Sequence, residues 1–317
     1  MVEIRLPAYV FEPNLAGYVA KLLDGSQSGR IIIDFEAVRF YIPAAIVATL
    51  AQIGNWQQNG QEISFRNHTT NPVCGYLQRI DFFRKVGLEL PEPGRRHNET
   101  GRFVPIEQIS RRKGDAASIS SRMAECISPG GWPINDAYQL AQYACAEVIN
   151  NCKQHANGAG FVSAQYAPRR DTAWVSIADC GRGICASFEE NRSPHHFAGM
   201  TDLEAIQIAL KPKVSSTTHL VHQYGSSPNK GVGLSMMRYL VQETLGYMVI
   251  ISGSGWWYQD GNKRPLAGTF PNGLRFCGTI CSVAFKRSNV ADYNAMLQQA
   301  RAALGLTGEA TPGNLFL

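Results

Sequence analysis

The sequence lacks long apolar runs and is sparing with charge. No stretch of 18 or more apolar residues occurs, so the pattern predicts no membrane-spanning helix. The first residues also lack the apolar core of a secretory signal peptide, and we therefore expect a cytoplasmic protein without a membrane partner. Of 317 residues, 44% are hydrophobic and 17% are charged, a balance that excludes a disordered chain and predicts a sizeable core.

Two further absences concern metals and nucleic acids. The eight cysteines form no C-x-x-C pair and most lie in apolar periodic segments, so we interpret them as small buried thiols rather than metal ligands. The formal charge of +5 is spread over basic clusters near positions 95, 111 and 169. This charge is too diffuse to indicate a nucleic-acid partner.

Composition divides the chain into two predicted domains. In residues 1–92, a strand from Arg30, a helix from Pro43, a second strand over 61–67 and a helix over 73–86 predict a small α/β layer. Residues 93–115 are rich in proline, glycine and arginine, which is typical of an exposed linker. A second domain is expected over 116–290, followed by a C-terminal helix and tail over 291–317.

The first domain resembles the STAS family of anti-sigma-factor-antagonist domains over about residues 1–90. The resemblance is carried by Arg30-Ile-Ile-Ile-Asp-Phe and the turn that leads to Pro43-Ala44-Ala45. STAS domains have a phosphorylatable serine at the start of that helix. Because no hydroxyl stands at this position here, the resemblance implies a degenerate domain with a docking role and no phosphorylation switch.

A helix from Asn135 or Asp136 to about residue 155 carries the first chemical motif. Its core-facing positions recur at helical spacing: Tyr138, Ala141, Cys145, Val148 and Cys152. Glu147 and Asn151 are four residues apart on another face, so a carboxylate and an amide project together.

Two later segments carry the remaining motifs. A predicted strand over 172–178 ends at Asp179, and a carboxylate there needs a hydrogen-bond donor to offset its desolvation. Gly181 and Gly183 follow and permit a tight turn. Gly231, Gly233 and Leu234 precede a predicted helix over 234–243, whose free backbone amides suit phosphate oxygens.

Taken in order, these segments resemble the GHKL ATPase superfamily over about residues 105–290. Glu147 to Asn151 is similar to its N box, Asp179 to Gly183 and Gly231 to Leu234 to its glycine boxes, and Gly278-Thr279 to its late strand threonine. The resemblance implies the Bergerat α/β sandwich with a mixed sheet. It also implies binding of ATP with Mg²⁺.

The resemblance assigns a role to each residue. Glu147 is the candidate catalytic residue, and Asn151 is the Mg²⁺ ligand. Asp179, supported by Thr279, accepts a hydrogen bond from the adenine amino group above Gly181 and Gly183. The phosphates lie against Gly231, Gly233 and Leu234. His155 and Lys230 are further phosphate contacts, although a packed or capping histidine and a solvated loop lysine are alternative interpretations.

The resulting functional prediction is a Mg²⁺-dependent ATP-binding regulator. It is either an anti-sigma-type serine/threonine kinase or slow ATPase, or a nucleotide-gated switch without catalysis. The long segment between residues 184 and 231 is expected to be the ATP lid. A protein partner is expected through the STAS-like domain or this lid, and a homodimer remains open.

Four other interpretations are weaker. Gly181-Arg-Gly-Ile-Cys-Ala fits a dinucleotide fingerprint, but that interpretation leaves the N box and the second glycine pair without a role. No P-loop occurs, and no histidine has the flanking residues of a phosphoacceptor. A zinc site at His195, His196, His219 and His222 lacks a carboxylate or cysteine at typical spacing.

Overall fold

The computed structural model describes residues 1–25, 28–91, 103–109, 115–128, 135–156, 159–216 and 231–306. It is a mixed α/β protein, as expected, with parallel strands in one sheet and antiparallel strands in another. None of the helices in these ranges is both long and apolar enough to cross a bilayer.

The N-terminal layer is built on a parallel three-stranded sheet. Its strands are, in spatial order, β1 (Val2–Arg5), β3 (Arg30–Asp34) and β5 (Glu62–Arg66), and a short parallel pair is formed by β2 (Tyr9–Val10) and β4 (Phe40–Tyr41). The helices α1 (Leu15–Asp24) and α2 (Pro43–Gln58) pack together in this layer. The predicted strands at 30 and 61–67 and the helix at Pro43 are confirmed.

The single helix predicted over 73–86 is wrong. The chain instead forms α3 (Cys74–Arg79) and α4 (Phe82–Lys85), separated by Asp81 with a φ of 65°. A residue in the left-handed region cannot continue a right-handed helix, so the axis changes direction there. The break buries both Phe82 and Phe83 in the core.

The second region is built on a seven-stranded sheet. Its spatial order is β11 (Leu266–Thr269), β10 (Gly255–Asp260), β9 (Tyr247–Gly253), β12 (Phe276–Lys286), β8 (Thr172–Asp179), β7 (Gly160–Ala167) and β6 (Glu107–Ile109). Every described ladder in it is antiparallel, which corrects the expected mixed sheet. The physical reason is that short turns join β7 to β8 and β9 to β10, and strands joined in this way run in opposite directions.

Helices cover one face of this sheet. They are α5 (Ala116–Ile127), α6 (Asp136–Asn151), α7 (Gly183–Glu190), α8 (Asp202–Ala209), α9 (Gly233–Glu243) and α10 (Tyr293–Ala303). Asn135 caps α6 by accepting from the Tyr138 N–H, as predicted, and α6 continues into a π-helical turn at Cys152–Ala156. Along β8, Val175 and Ile177 face this helical layer.

The other face is covered by α2 from the N-terminal layer. Every residue from 43 to 53 is buried, and α2 packs across β7, β8 and β12. Trp174 and Ala178 of β8 belong to the same apolar cluster as the core of the N-terminal layer. Because both faces of β8 are covered, all eight of its residues are buried. Residues of both predicted domains therefore belong to one apolar cluster between α2 and the sheet, and the helical face of the sheet has a separate cluster.

Part of the predicted linker belongs to the sheet. Residues 107–109 form β6, which pairs with β7 at the sheet edge. Phe103, Val104 and Ile106 are also buried, and burying these apolar side chains outweighs the loop-like composition around them. The rest of the linker, 93–102 and 110–114, lies outside the described residues, as does the tail beyond 306.

Candidate functional site

One pocket collects most of the predicted site residues. It lies between α6, α7 and α9 and the sheet face formed by β8, β9 and β12, with a volume of about 110 Å³. This volume is several times the ~10–15 Å³ that one water molecule needs, so a ring-sized group can enter. The predicted residues that line it are Asn151, Asp179, Gly183, Gly231, Gly233, Leu234 and Thr279. Stretches up to 128 residues apart in sequence thus meet at one place.

Asp179 is the anchored acceptor of this pocket. It ends β8, is 5% exposed, and its Oδ1 accepts from the Gly181 N–H at 2.7 Å. Burial raises the pKa of Asp179 to about 7, although the backbone N–H groups of Gly181 and Thr279 act to lower it. The hydrogen bond from Gly181 therefore fixes the direction in which this carboxyl group faces the pocket.

Gly278 makes this arrangement sterically feasible. Its φ of 102° is a conformation that L side chains rarely adopt, and a Cβ built on it lies 2.5 Å from Asp179 Oδ1 and 2.7 Å from Gly181 N. Any side chain at position 278 would displace the Asp179 turn. The glycine paired with Thr279 in the predicted motif thus serves to hold Asp179.

Glu147 lies beside the pocket, against the start of α9. Its Oε2 is fully buried and has no hydrogen-bond partner among the described residues. A Cβ built on Gly233 would overlap this oxygen, so only glycine permits the approach of the two helices. Burial raises the pKa of Glu147 to about 7. A carboxyl group with such a pKa can take up or release a proton near neutral pH.

The start of α9 presents backbone donors to the pocket. The helix begins at Gly233, and its N-cap residue Val232 makes no side-chain capping bond. The first N–H groups of a helix have no intrahelical acceptor, and the helix dipole makes this end electropositive. Gly231, with a φ of 69°, packs on Val214, whose N–H donates to the Gly231 carbonyl at 3.1 Å. The pocket therefore has one end suited to an anion.

The remaining wall is apolar with a few hydroxyl groups. Its apolar members are Val148, Cys152, Ile177, Ile184, Phe188, Ala209, Val214, Ile250 and Cys281. Ser187, Ser215 and Ser216 also line it, and the Ser187 hydroxyl donates to Ser216 Oγ at 3.0 Å. No motif marks these serines, because Ser187 is a single serine in a helix and Ser215-Ser216 lie in a hydroxyl-rich stretch of the predicted lid.

Some predicted residues cannot be placed. Lys230 and the side chain of His155 lie outside the described residues, as do His219 and His222. Within the described ranges, no group of three or more His, Cys, Asp or Glu side chains is arranged to hold a metal ion. The predicted lid over 184–231 contains α7 and α8, and its residues 217–230 lie outside the described part.

No protein-family model, curated protein or solved structure matches this chain. The resemblances to the STAS and GHKL families stay predictions, and the chemistry of the pocket must carry the functional inference.

Proposed function

We propose that the chain is a Mg²⁺-dependent ATP-binding regulatory protein of GHKL type with a STAS-like N-terminal layer. The observation that carries the proposal is the convergence of Asn151, Asp179 and the start of α9 on one pocket. These groups come from three separate motifs that the sequence places in the same order as the superfamily does.

The donor and acceptor groups fit a purine nucleotide. Asp179 is a directed acceptor for an exocyclic amino group, and the apolar wall suits a flat aromatic base. The uncapped start of α9 suits phosphate oxygens. Asn151 supplies a neutral oxygen in the same pocket, which is a ligand type that Mg²⁺ accepts. Bound Mg²⁺ would neutralise charge on the phosphates.

Glu147 is the candidate proton acceptor. With a pKa of about 7 it is partly ionised at neutral pH, so it can take a proton from a water molecule or a protein hydroxyl. This role makes the protein a slow ATPase or a serine/threonine kinase. In the kinase, the group that receives the phosphoryl group would be a hydroxyl of a partner protein.

The packing of Glu147 favours a second candidate, a switch without turnover. Its buried oxygen contacts Gly233 rather than lining the pocket. A ligand that shifts the first turn of α9 would therefore move Glu147 and α6 with it. Such a protein would signal its nucleotide state to a partner and release no phosphate.

The binding test compares two buried aspartates at strand ends. Asp179→Asn should weaken ATP binding about 5- to 150-fold, since a misplaced amide at the base edge costs ~1–3 kcal/mol. Asp34→Asn is the matched control, because Asp34 also ends a strand, is 4% exposed and accepts from the N–H two residues later at 3.0 Å. Calorimetric titrations with ATP and GTP, with and without Mg²⁺, measure the effect. Absence of Mg²⁺-dependent ATP affinity in the wild type would overturn the proposal.

The turnover test separates the two candidates. Radiolabelled ATP is incubated with the wild type, with Glu147→Gln and with Glu125→Gln, an exposed substitution on α5 that serves as control. Loss of free phosphate or phosphoprotein in Glu147→Gln alone, with ATP affinity retained, supports the enzyme. Tight ATP binding without any turnover in the wild type supports the switch.

A further inference from the structure

Ser252 occupies a junction behind the pocket that no motif identifies. It lies on β9, is 1% exposed, and its Oγ accepts from the backbone N–H of Ile184 at 2.8 Å. Ile184 is in the first turn of α7, so Ser252 holds the start of that helix against the sheet. A Cβ built on Gly183 lies 2.9 Å from the same hydroxyl, which shows how closely α7 approaches.

The same hydroxyl reaches Thr279 on the neighbouring strand. Ser252 and Thr279 are directly opposite each other in the β9–β12 ladder, and their hydroxyl oxygens are 3.2 Å apart. Thr279 in turn lies beside Asp179 of β8, since the two residues adjoin the ladder pair Ile280–Ala178. Ser252, Thr279 and Asp179 thus form one polar row across three adjacent strands.

We infer that Ser252 is a positioning residue that sets the choice of adenine over guanine through the hydroxyl of Thr279. Ser252 itself does not line the pocket, whereas Thr279 and Asp179 do. The inference rests on the proposed nucleotide site and names the device that makes the site selective.

The effect of Ser252 on Thr279 depends on which acceptor receives the hydroxyl proton of Ser252. Because Ser252 Oγ already accepts from Ile184, its own proton can go to Thr279 Oγ1 at 3.2 Å or to the Gly278 carbonyl at 3.4 Å. Either hydroxyl can donate across the 3.2 Å contact between Ser252 and Thr279. When Ser252 is the donor, as the inference requires, the Thr279 proton is left to point into the pocket.

A donor at Thr279 next to an acceptor at Asp179 matches adenine. The Watson–Crick edge of adenine has an amino donor at C6 and an acceptor at N1, whereas guanine has an acceptor at C6 and a donor at N1. Without Ser252, the Thr279 hydroxyl can turn and present a lone pair, which removes one of the two elements that reject guanine. Asp179 supplies the other element.

The test measures dissociation constants for ATP and GTP in a set of variants. Ser252→Ala should lower the ATP-to-GTP preference on the order of tenfold, since one buried mispaired hydrogen bond is released. Ser252→Thr keeps a hydroxyl and should retain the preference. Ser282→Ala is the matched control, because Ser282 is a buried serine of the same sheet whose hydroxyl pairs with Ser176 at 2.7 Å, outside the pocket.

Thr279→Val is a second variant, and it tests the same donor if Ser252→Ala does not fold. It should lower the preference as Ser252→Ala does, and the double variant should add nothing, because both changes remove the same donor. If Ser252→Ala does not fold, Ser252→Cys, with its weaker donor, should show a partial loss of preference.

Four results would overturn the inference. An unchanged preference in Ser252→Ala, or equal losses in Ser252→Ala and Ser282→Ala, would reduce Ser252 to a structural role while leaving the proposed nucleotide site intact. Additive losses in the double variant would show that Ser252 acts on something other than Thr279. Absence of ATP binding in the wild type would overturn both proposals at once.

Discussion

The two faces of the seven-stranded sheet differ in how their buried polar groups are paired. On the face toward α2, every residue from 43 to 53 is buried, and the buried carboxyl group of Glu12 accepts a hydrogen bond from the Trp174 indole of β8. On the face toward α6 and α9, a pocket remains open, and Glu147 keeps a buried oxygen without a partner. One strand, β8, contributes side chains to both.

The difference shows where the molecule gives up stability. Asp179 and Glu147 are held in sites that raise the pKa of each to about 7, so ionising them at neutral pH costs folding free energy. Such costs concentrate at functional sites, where they prepare a group for binding or proton transfer. Substitutions on the α2 face should therefore change the free energy of unfolding alone, whereas substitutions at the pocket should also change ligand binding.

The largest expected effect tests the tight turn at the pocket face. Gly278→Ala should lower the free energy of unfolding by about 2–5 kcal/mol, because a disfavoured φ costs ~1–2 kcal/mol and forced overpacking ~1–3 kcal/mol more. Gly60→Ala is the control, since Gly60 has a φ of 75° but open space around it, and should lose only ~1 kcal/mol. Urea unfolding measures both. Equal losses of unfolding free energy in the two variants would show that the turn at Asp179 can adjust to a side chain at position 278.

The next effect tests the α2 face. Trp174→Phe removes the indole donor of buried Glu12 and should cost about 2–3 kcal/mol in unfolding free energy, with ATP affinity unchanged. Replacing both partners, with Glu12→Met added, should recover most of the loss, because no buried charge then lacks its donor. A changed ATP affinity in Trp174→Phe would break the comparison between the faces.

A gain of stability is expected from Glu147→Gln. The carboxyl pKa is about 4.5 in an unfolded chain and about 7 in the folded protein, so wild-type stability falls as pH rises through this window. Glutamine does not ionise, and the variant should be more stable by about 3 kcal/mol at pH 8 and equally stable at pH 4. Thermal and urea unfolding at both pH values measure this, with Glu125→Gln as the exposed control. Identical pH profiles for wild type and Glu147→Gln would contradict it.

The smallest effect concerns the rim of the α2 face. The Arg170 guanidinium lies 4.6 Å from the ring centre of Phe11 and 5.0 Å from that of Phe40. Arg170→Ala should cost ~0.5–1 kcal/mol of stability and leave nucleotide affinity unchanged. The neighbouring Arg169→Ala is the control in the same urea series, and an equal loss there would remove the aromatic contact as the cause.

Local patterns predicted the elements that carry the pocket. Strand β8 and helix α9 begin and end within one residue of the expected positions, and the Asn135 cap is confirmed. Helix α6 begins as predicted, but its predicted end at about residue 155 lies in the π-helical turn that follows Asn151. A cap, an alternating run and a glycine pair act within a few residues, so their signals survive in sequence alone. The placement of Asn151 with Asp179 in one pocket followed from the motif order.

Other features depended on distant partners. Residues 103–109 lie in a sequence of loop-like composition, yet they are largely buried. Residues 107–109 form an edge strand because they can pair with β7. The strand directions in the large sheet depend on which turns are tight, and the resemblance predicted a mixed sheet where the ladders are antiparallel. Ser252 is a single serine in a strand, and only the fold sets it beside Thr279 and Ile184.

The amino-acid sequence by itself determined where the chain is helical or extended around its motifs, because capping, periodicity and glycine act between near neighbours. Tertiary structure alone decided that α2 closes the back of the sheet, that Glu147 meets Gly233, and that a serine stands behind Thr279. These contacts join residues from 27 to more than 100 positions apart. Burial and steric fit between such residues depend on the whole packed molecule, and no local pattern encodes them.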